Sequence, residues 1–272
     1  MIKLCKYFYI HWLFIVLFVF CYINRKLEIL TLSYLIISVH ELSHLMAAKF
    51  LGLSVSHISL YPFGLNLKLK NTMLFRILDE VILYLAGPLS NIIMALICIP
   101  FFRISEMFYE IYYINIALFF TNMFPIAPLD GGMILKKLLC YRFGFDLGNS
   151  IMKLISLIIV IVLVAFSVYL LYINKFNSSL CIYIAFILGN IFTSREKYNQ
   201  GLLKELLYSR EKKNTKKVFT AKILGCTKEC SQIEIAKKFN QANRYFVFFT
   251  DETNKVVDIK SEEEIIDRLL CK

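Results

Sequence analysis

Apolar residues in the first 193 positions gather in long unbroken runs, at roughly 7–23, 27–51, 80–102, 108–135 and 151–173, with a shorter run at about 180–193. A helix needs about 20 predominantly apolar residues to cross the hydrocarbon layer. The pattern therefore predicts six membrane spans. One connection breaks it: within residues 53–72, Leu65-Asn66-Leu67-Lys68-Leu69-Lys70 alternates strictly after the turn-prone Tyr61-Pro62-Phe63-Gly64. Period-2 alternation behind a turn predicts a strand or hairpin, placed by the span count at the cytosolic membrane surface. Such a hairpin either covers the helices or offers an edge to which an extended peptide adds as a strand.

Beyond residue 193 the pattern changes. Residues 1–193 hold 22 of the 51 charged residues, and the last 79 residues hold 29. Residues 194–213 are charged and helix-prone, a linker helix. From about 214 the order is strand (Val218 to Ile223), helix (Gln232 to Phe239), buried strand (Tyr245 to Asp251), turn (Glu252 to Asn254), strand (Val256 to Ile259) and a closing helix (Ser261 to Leu270) opened by a Ser-x-x-Glu capping box. The expected architecture is a polytopic α-helical membrane protein with about six transmembrane helices and a membrane-surface β-hairpin (1–193), the linker, and a small α/β domain (214–272).

Composition agrees with the pattern. Of the 272 residues 58% are hydrophobic and 15% aromatic, with Gly at 10 and Pro at 5, which excludes soluble globular, disordered and collagen-like classes. The net charge of +11 raises nucleic acid as a partner until its distribution is examined. With the amino terminus inside, the inner segments carry Lys3, Lys6, Lys49, Lys68, Lys70, Arg76, Lys136, Lys137, Arg142 and Lys153. The outer ones carry only Arg25, Lys26, Arg103 and Lys175. By the positive-inside rule both termini are cytosolic, so the basicity is topological and nucleic acid is not expected as a partner. The first run could instead be a cleaved signal peptide, but its apolar stretch is long and no clear small-x-small site follows it. Eight cysteines at irregular positions form no framework and read as reduced thiols.

Ionisable groups inside a bilayer cost several kcal/mol unless paired or metal-bound, so each one there is a functional candidate. Well inside the spans lie His40, Glu41, His44 and Asp130. The first three form His40-Glu41-Leu42-Ser43-His44 in a helical run. Residues four apart on a helix differ by about 40° and about 6 Å, so both imidazoles can face one ion. Glu41, about 100° round from His40, can reach a water beside that ion. Two neutral nitrogens on a cation and a free carboxylate to accept a proton are what a zinc hydrolase uses.

Catalytic zinc commonly takes a third protein ligand. Asp130 is the candidate, in Asn122-Met123-Phe124-Pro125-Ile126-Ala127-Pro128-Leu129-Asp130-Gly131-Gly132, where two prolines and two glycines must break the fourth span. Broken backbone at that depth survives only when buried in protein or lining a wet cavity. The second and fourth spans both run outward to inward, which puts the two motifs at similar depth. Asp130 as a cap of the following helix is a compatible second role. Between them, Ala86-Gly87-Pro88-Leu89-Ser90-Asn91 combines small residues that permit close helix approach with a polar amide.

These residues resemble the site-2 protease family of intramembrane zinc metalloproteases. His40 to His44 is similar to its HExxH, Asn122 to Pro125 with Leu129-Asp130-Gly131-Gly132 to its N-x-x-P-x-x-x-LDG element, and Gly87-Pro88 with Asn91 to its GPxxN element, in the family's order. The resemblance implies one Zn2+ per chain held by His40, His44 and Asp130, Glu41 as general base, and Asn122 as a substrate-positioning or oxyanion-contacting amide. The tail resembles one CBS module, which implies self-association or an incomplete site for ATP or another adenine nucleotide.

A short core without an inserted PDZ domain, followed by such a module, most resembles the members that release a pro-sigma-K-like transcription factor during sporulation. That resemblance implies a membrane-associated pro-sigma factor as substrate, inhibitory membrane proteins as partners, and the mother-cell membrane around the forespore as location. The alternative substrates within the family are anti-sigma factors and remnant signal peptides. From a different class comes a membrane metal transporter or metal-sensing binding protein using the same His and Asp residues; transport would string polar groups through the whole bilayer, whereas here they cluster in the inner half. An inactive scaffold is disfavoured because every proposed catalytic group is present.

Overall fold

The computed structural model describes residues 2–5, 8–10, 18–19, 22–23, 25, 27–61, 64–70, 77–175, 177–192, 221–227, 230–239, 243–251 and 255–270. They fall into two compact units: residues 1–72, 78–124 and 129–131, and residues 73–77, 125–128 and 132–272. The predicted linker helix at 194–213 lies outside the described residues, as does most of the first apolar run.

Among its described residues the first unit combines a sheet with helices. Strands β1 (Ile2–Cys5), β2 (Phe8–Ile10), β3 (Ser54–Tyr61) and β4 (Gly64–Lys70) lie in that order, with β1–β2 antiparallel, β2–β3 parallel and β3–β4 antiparallel. The β3–β4 hairpin turns at Tyr61↔Gly64, where the alternation predicts it. The strands at Ile2–Cys5 and Phe8–Ile10 correct the expected span at 7–23, at least at its start. Phe8-Tyr9-Ile10 is aromatic and β-branched, suited to a strand, and it pairs with Ile58, Ser59 and Leu60. The free edge of β3 thus recruits a segment whose hydrophobicity alone reads as helix.

Helix α1 (Leu27–Phe50) packs on β3 and β4 and against α3 (Met107–Met123), and α2 (Ile77–Cys98) continues into a 3-10 turn at Ile99–Phe101. In α1 the buried residues are Ile36, His40, His44 and Ala48, one every fourth position. Such a stripe aligns on one face. In α2 they are Glu80, Gly87, Pro88, Asn91, Ala95 and Cys98.

The second unit holds most of α4 (Asp130–Phe143), then α5 (Phe145–Tyr172) packed against α6 (Ser178–Phe192), and the tail. The fourth run is divided, as its prolines and glycines require: α3 ends at Met123 and α4 starts at Asp130. Among the described residues three helices are long and apolar enough to cross a membrane, at Leu27–Phe50, Ile77–Phe101 and Phe145–Tyr172, beside a shorter apolar helix at Leu180–Gly189.

In the tail β5 (Ala221–Thr227) pairs parallel with β6 (Arg244–Thr250), which pairs antiparallel with β7 (Val256–Ser261). Helices α7 (Gln232–Ala236) and α8 (Glu262–Leu270) complete the predicted strand, helix, strand, strand, helix order. The first strand is described three residues later than predicted. A full capping box forms at Ser231 and Glu234, while Ser261 Oγ accepts from the Glu264 N–H at 3.3 Å. Cys98, Cys140, Cys181, Cys226 and Cys230 are free thiols. Burial and the neighbouring Cys230 push the Cys226 thiol up, which keeps it protonated.

Candidate metal centre

The four-residue stripe of α1 aims both imidazoles at one point. His40 Nε2 and His44 Nε2 lie 3.2 Å apart, and the two rings meet edge to face. Asp130, the first residue of α4, brings Oδ2 to 3.3 Å from each of them. A carboxylate 86 positions beyond His44 thus closes a near-equilateral triangle of donor atoms in the first unit. Asp130 Oδ2 is buried and has no hydrogen-bond donor among the described residues.

That triangle fits a cation. Zinc bonds of about 2.0–2.1 Å in tetrahedral array set neighbouring ligand atoms about 3.3–3.4 Å apart. Three electron-rich atoms crowded this closely repel one another unless a positive charge lies between them. The His44 ring shows that its lone pair faces inward: Nδ1 is 2.6 Å from the Leu83 carbonyl oxygen, which can only accept, so Nδ1 carries the proton and Nε2 of the neutral ring is bare. Two imidazoles and one carboxylate match the donor chemistry of catalytic zinc.

Close approach between α1 and α2 depends on Gly87. A Cβ there would collide with His44 Nε2 and stand 2.6 Å from His40 Cε1 and Nε2. Any side chain would occupy the space of the two rings. Gly131 does the same for Asp130, since a Cβ would lie 2.6 Å from the Met123 carbonyl carbon at the end of α3. Gly87, read from sequence as a packing feature, and Gly131, read as a helix breaker, are therefore what admits the site.

Glu41 is half-buried and within electrostatic range of His44 and Asp130, yet it stands outside the three-atom group. A carboxylate beside the donor triangle but not part of it is free to take up a proton. Asn122 lies half-buried in the last turn of α3 and is not brought into the triangle. The sequence reading missed the Leu83 carbonyl, because a backbone acceptor has no residue signature. It also missed Asn115, fully buried in α3, whose Nδ2 donates to the Ile111 carbonyl at 2.8 Å. An amide seven residues before Asn122, on the same helix face, was the available signal.

Residues 101–166, which include Asp130, match Peptidase family M50. The chain is similar to Stage IV sporulation protein FB of Bacillus subtilis, 27% identical over 121 residues that cover 43% of this chain and 42% of the relative. It is also similar to the zinc metalloprotease MJ0392 of Methanocaldococcus jannaschii, 29% identical over 161 residues, 51% of this chain and 46% of the relative. The chain thus aligns with less than half the length of either relative. A solved site-2 protease from Methanocaldococcus jannaschii shares the fold at a TM-score of 0.53 and 21% identity, over 70% of this chain and 93% of that one.

Proposed function

We propose that the protein is a zinc-dependent intramembrane endopeptidase, with His40, His44 and Asp130 as metal ligands and Glu41 as general base. The observation that carries this reading is the triangle of two imidazole nitrogens and one carboxylate oxygen without a hydrogen-bond partner among the described residues, 3.2–3.3 Å on a side, with a further carboxylate at its flank. A zinc ion there supplies Lewis acidity, which makes water acidic enough to ionise near neutrality and polarises a peptide carbonyl. Glu41 accepts the proton from the attacking water and returns it to the leaving amine. Asn122 contacts the substrate amide near the scissile bond.

A helical substrate hides its carbonyls and must be extended first. The outer edge of β4 leaves its backbone groups open to a further strand in the described sheet, and we assign it the task of holding the substrate extended. Similarity to Stage IV sporulation protein FB supports a sporulation substrate, a membrane-associated pro-sigma-K-like factor, at the mother-cell membrane, with inhibitory membrane proteins as regulators. Both termini are cytosolic in this reading.

The tail serves as a CBS-like module that takes an adenine nucleotide or a second copy of the chain. Supporting the second copy, Ile223, Phe246 and Ile259 are exposed on its sheet, and the register sets Ile223 beside Phe246. The test is co-expression of the full chain, or its Glu41→Gln variant, with a candidate pro-sigma factor. A size shift that a zinc chelator abolishes and the variant fails to produce is expected. Cleavage that survives both treatments would overturn the reading.

A further inference from the structure

The two imidazoles are oriented differently from behind. His44 Nδ1 faces a backbone carbonyl, whose direction is fixed by α2. His40 Nδ1 faces a side chain, the Asn91 amide at 3.1 Å, and Asn91 is wholly buried. As placed, the amide offers its Nδ2 to His40, and its Oδ1 has no hydrogen-bond partner among the described residues. That arrangement makes Nδ1 the acceptor and puts the neutral ring's proton on Nε2, the atom aimed at Asp130. A protonated Nε2 cannot hold a metal. The ends of an amide are near-isosteric and exchange by rotation about one side-chain bond, and among the described residues no donor to Oδ1 opposes that rotation.

We propose that Asn91 is a positioning residue that acts as an acceptor. Its Oδ1, turned to His40 Nδ1–H, completes with the Leu83 carbonyl a matched pair of supports that leaves both Nε2 atoms bare toward the cation. The inference rests on the metal reading above. It gives the second half of Gly87-Pro88-Leu89-Ser90-Asn91 a role: one helical turn beyond the glycine that admits the rings, the asparagine sets the tautomer of one of them. Partners of this kind fix ring orientation and raise ligand basicity, and their removal typically lowers metal affinity about 10- to 100-fold.

The experiment compares zinc affinity, by chelator competition, and the visible spectrum of the Co2+ form for the full chain in detergent, as wild type and as Asn91→Asp, Asn91→Leu and Asn91→Ala. Aspartate only accepts hydrogen bonds, so Asn91→Asp is expected to bind zinc within about threefold of wild type or more tightly, with an unchanged Co2+ spectrum. Asn91→Leu, of similar size, and Asn91→Ala are expected to bind about 10- to 100-fold more weakly while their metal-free forms melt as the wild type does. Asn91→Asp falling as far as Asn91→Leu would show that the amide donates, and overturns the proposal. So does wild-type affinity in both Asn91→Leu and Asn91→Ala. A wild-type chain that binds no zinc overturns the metal reading itself, a distinguishable result.

Discussion

The helices of the first unit and the carboxy-terminal tail differ in what they bury. In α1 and α2 the inward positions include His40, His44, Glu80 and Asn91, while Leu35, Leu42, Met46, Ile82 and Ile93 stand exposed. In the tail the inward positions are mostly apolar, Ile235, Tyr245, Val247, Phe249, Ile265 and Ile266, with Glu262 buried where it accepts from the Tyr245 N–H. One chain follows both rules because the two regions face different solvents. Lipid gives apolar side chains no reason to leave the surface, so close packing and polar contacts hold the helices together. Water drives the apolar face of the tail inward. An imidazole pair that would be one more solvated patch in the tail becomes, between α1 and α2, a concentrated site for a cation.

The sharpest way to break that contrast is to remove the groups that justify a polar interior. Asp130→Ala is expected to lose both zinc and proteolysis, read by metal content after dialysis and by cleavage. Zinc kept at wild-type affinity would remove Asp130 from the ligand set. Glu41→Gln is expected to keep full zinc content while cleavage falls by about 10²- to 10⁴-fold, the usual scale of general acid–base assistance. Parallel loss of metal would instead make Glu41 a ligand.

Gly87→Ala is expected to reduce zinc occupancy steeply, because its methyl enters the space of both rings. Gly225→Ala, with nothing within 4 Å of the added carbon, is the control that should leave zinc untouched. Next in size come core deletions in the tail. Ile265→Ala, at a position with no exposed surface, is expected to cost about 2–5 kcal/mol of tail stability, measured by hydrogen exchange in β6, with zinc content unchanged. Smallest is Leu42→Ala on the outer face of α1, expected to shift stability by no more than about 0.5 kcal/mol. A large loss there would mean that Leu42 packs against protein.

Much of this was legible in the residue order, for reasons that are local. The spacing of His40, Glu41 and His44 fixes their angular relation on any helix. The prolines and glycines from Pro125 to Gly132 force a break, and the alternation of Leu65 to Lys70 fits only an extended strand. The tail elements were readable because their periods are short. Phe8–Ile10 misled because its composition suits either state, and the partner that selects the strand lies near residue 58.

The sequence alone thus determined a membrane-type chain with a two-histidine, one-glutamate helix face and a single plausible third carboxylate. What required the tertiary structure is that Asp130 Oδ2 reaches both rings, that Gly87 clears their space, and that Leu83 and Asn91 stand behind them. Spacing along one helix sets relations over four residues. Relations over 39 to 90 residues depend on how close two helices approach, and the packing of α1, α2 and the start of α4 in the first unit decides that.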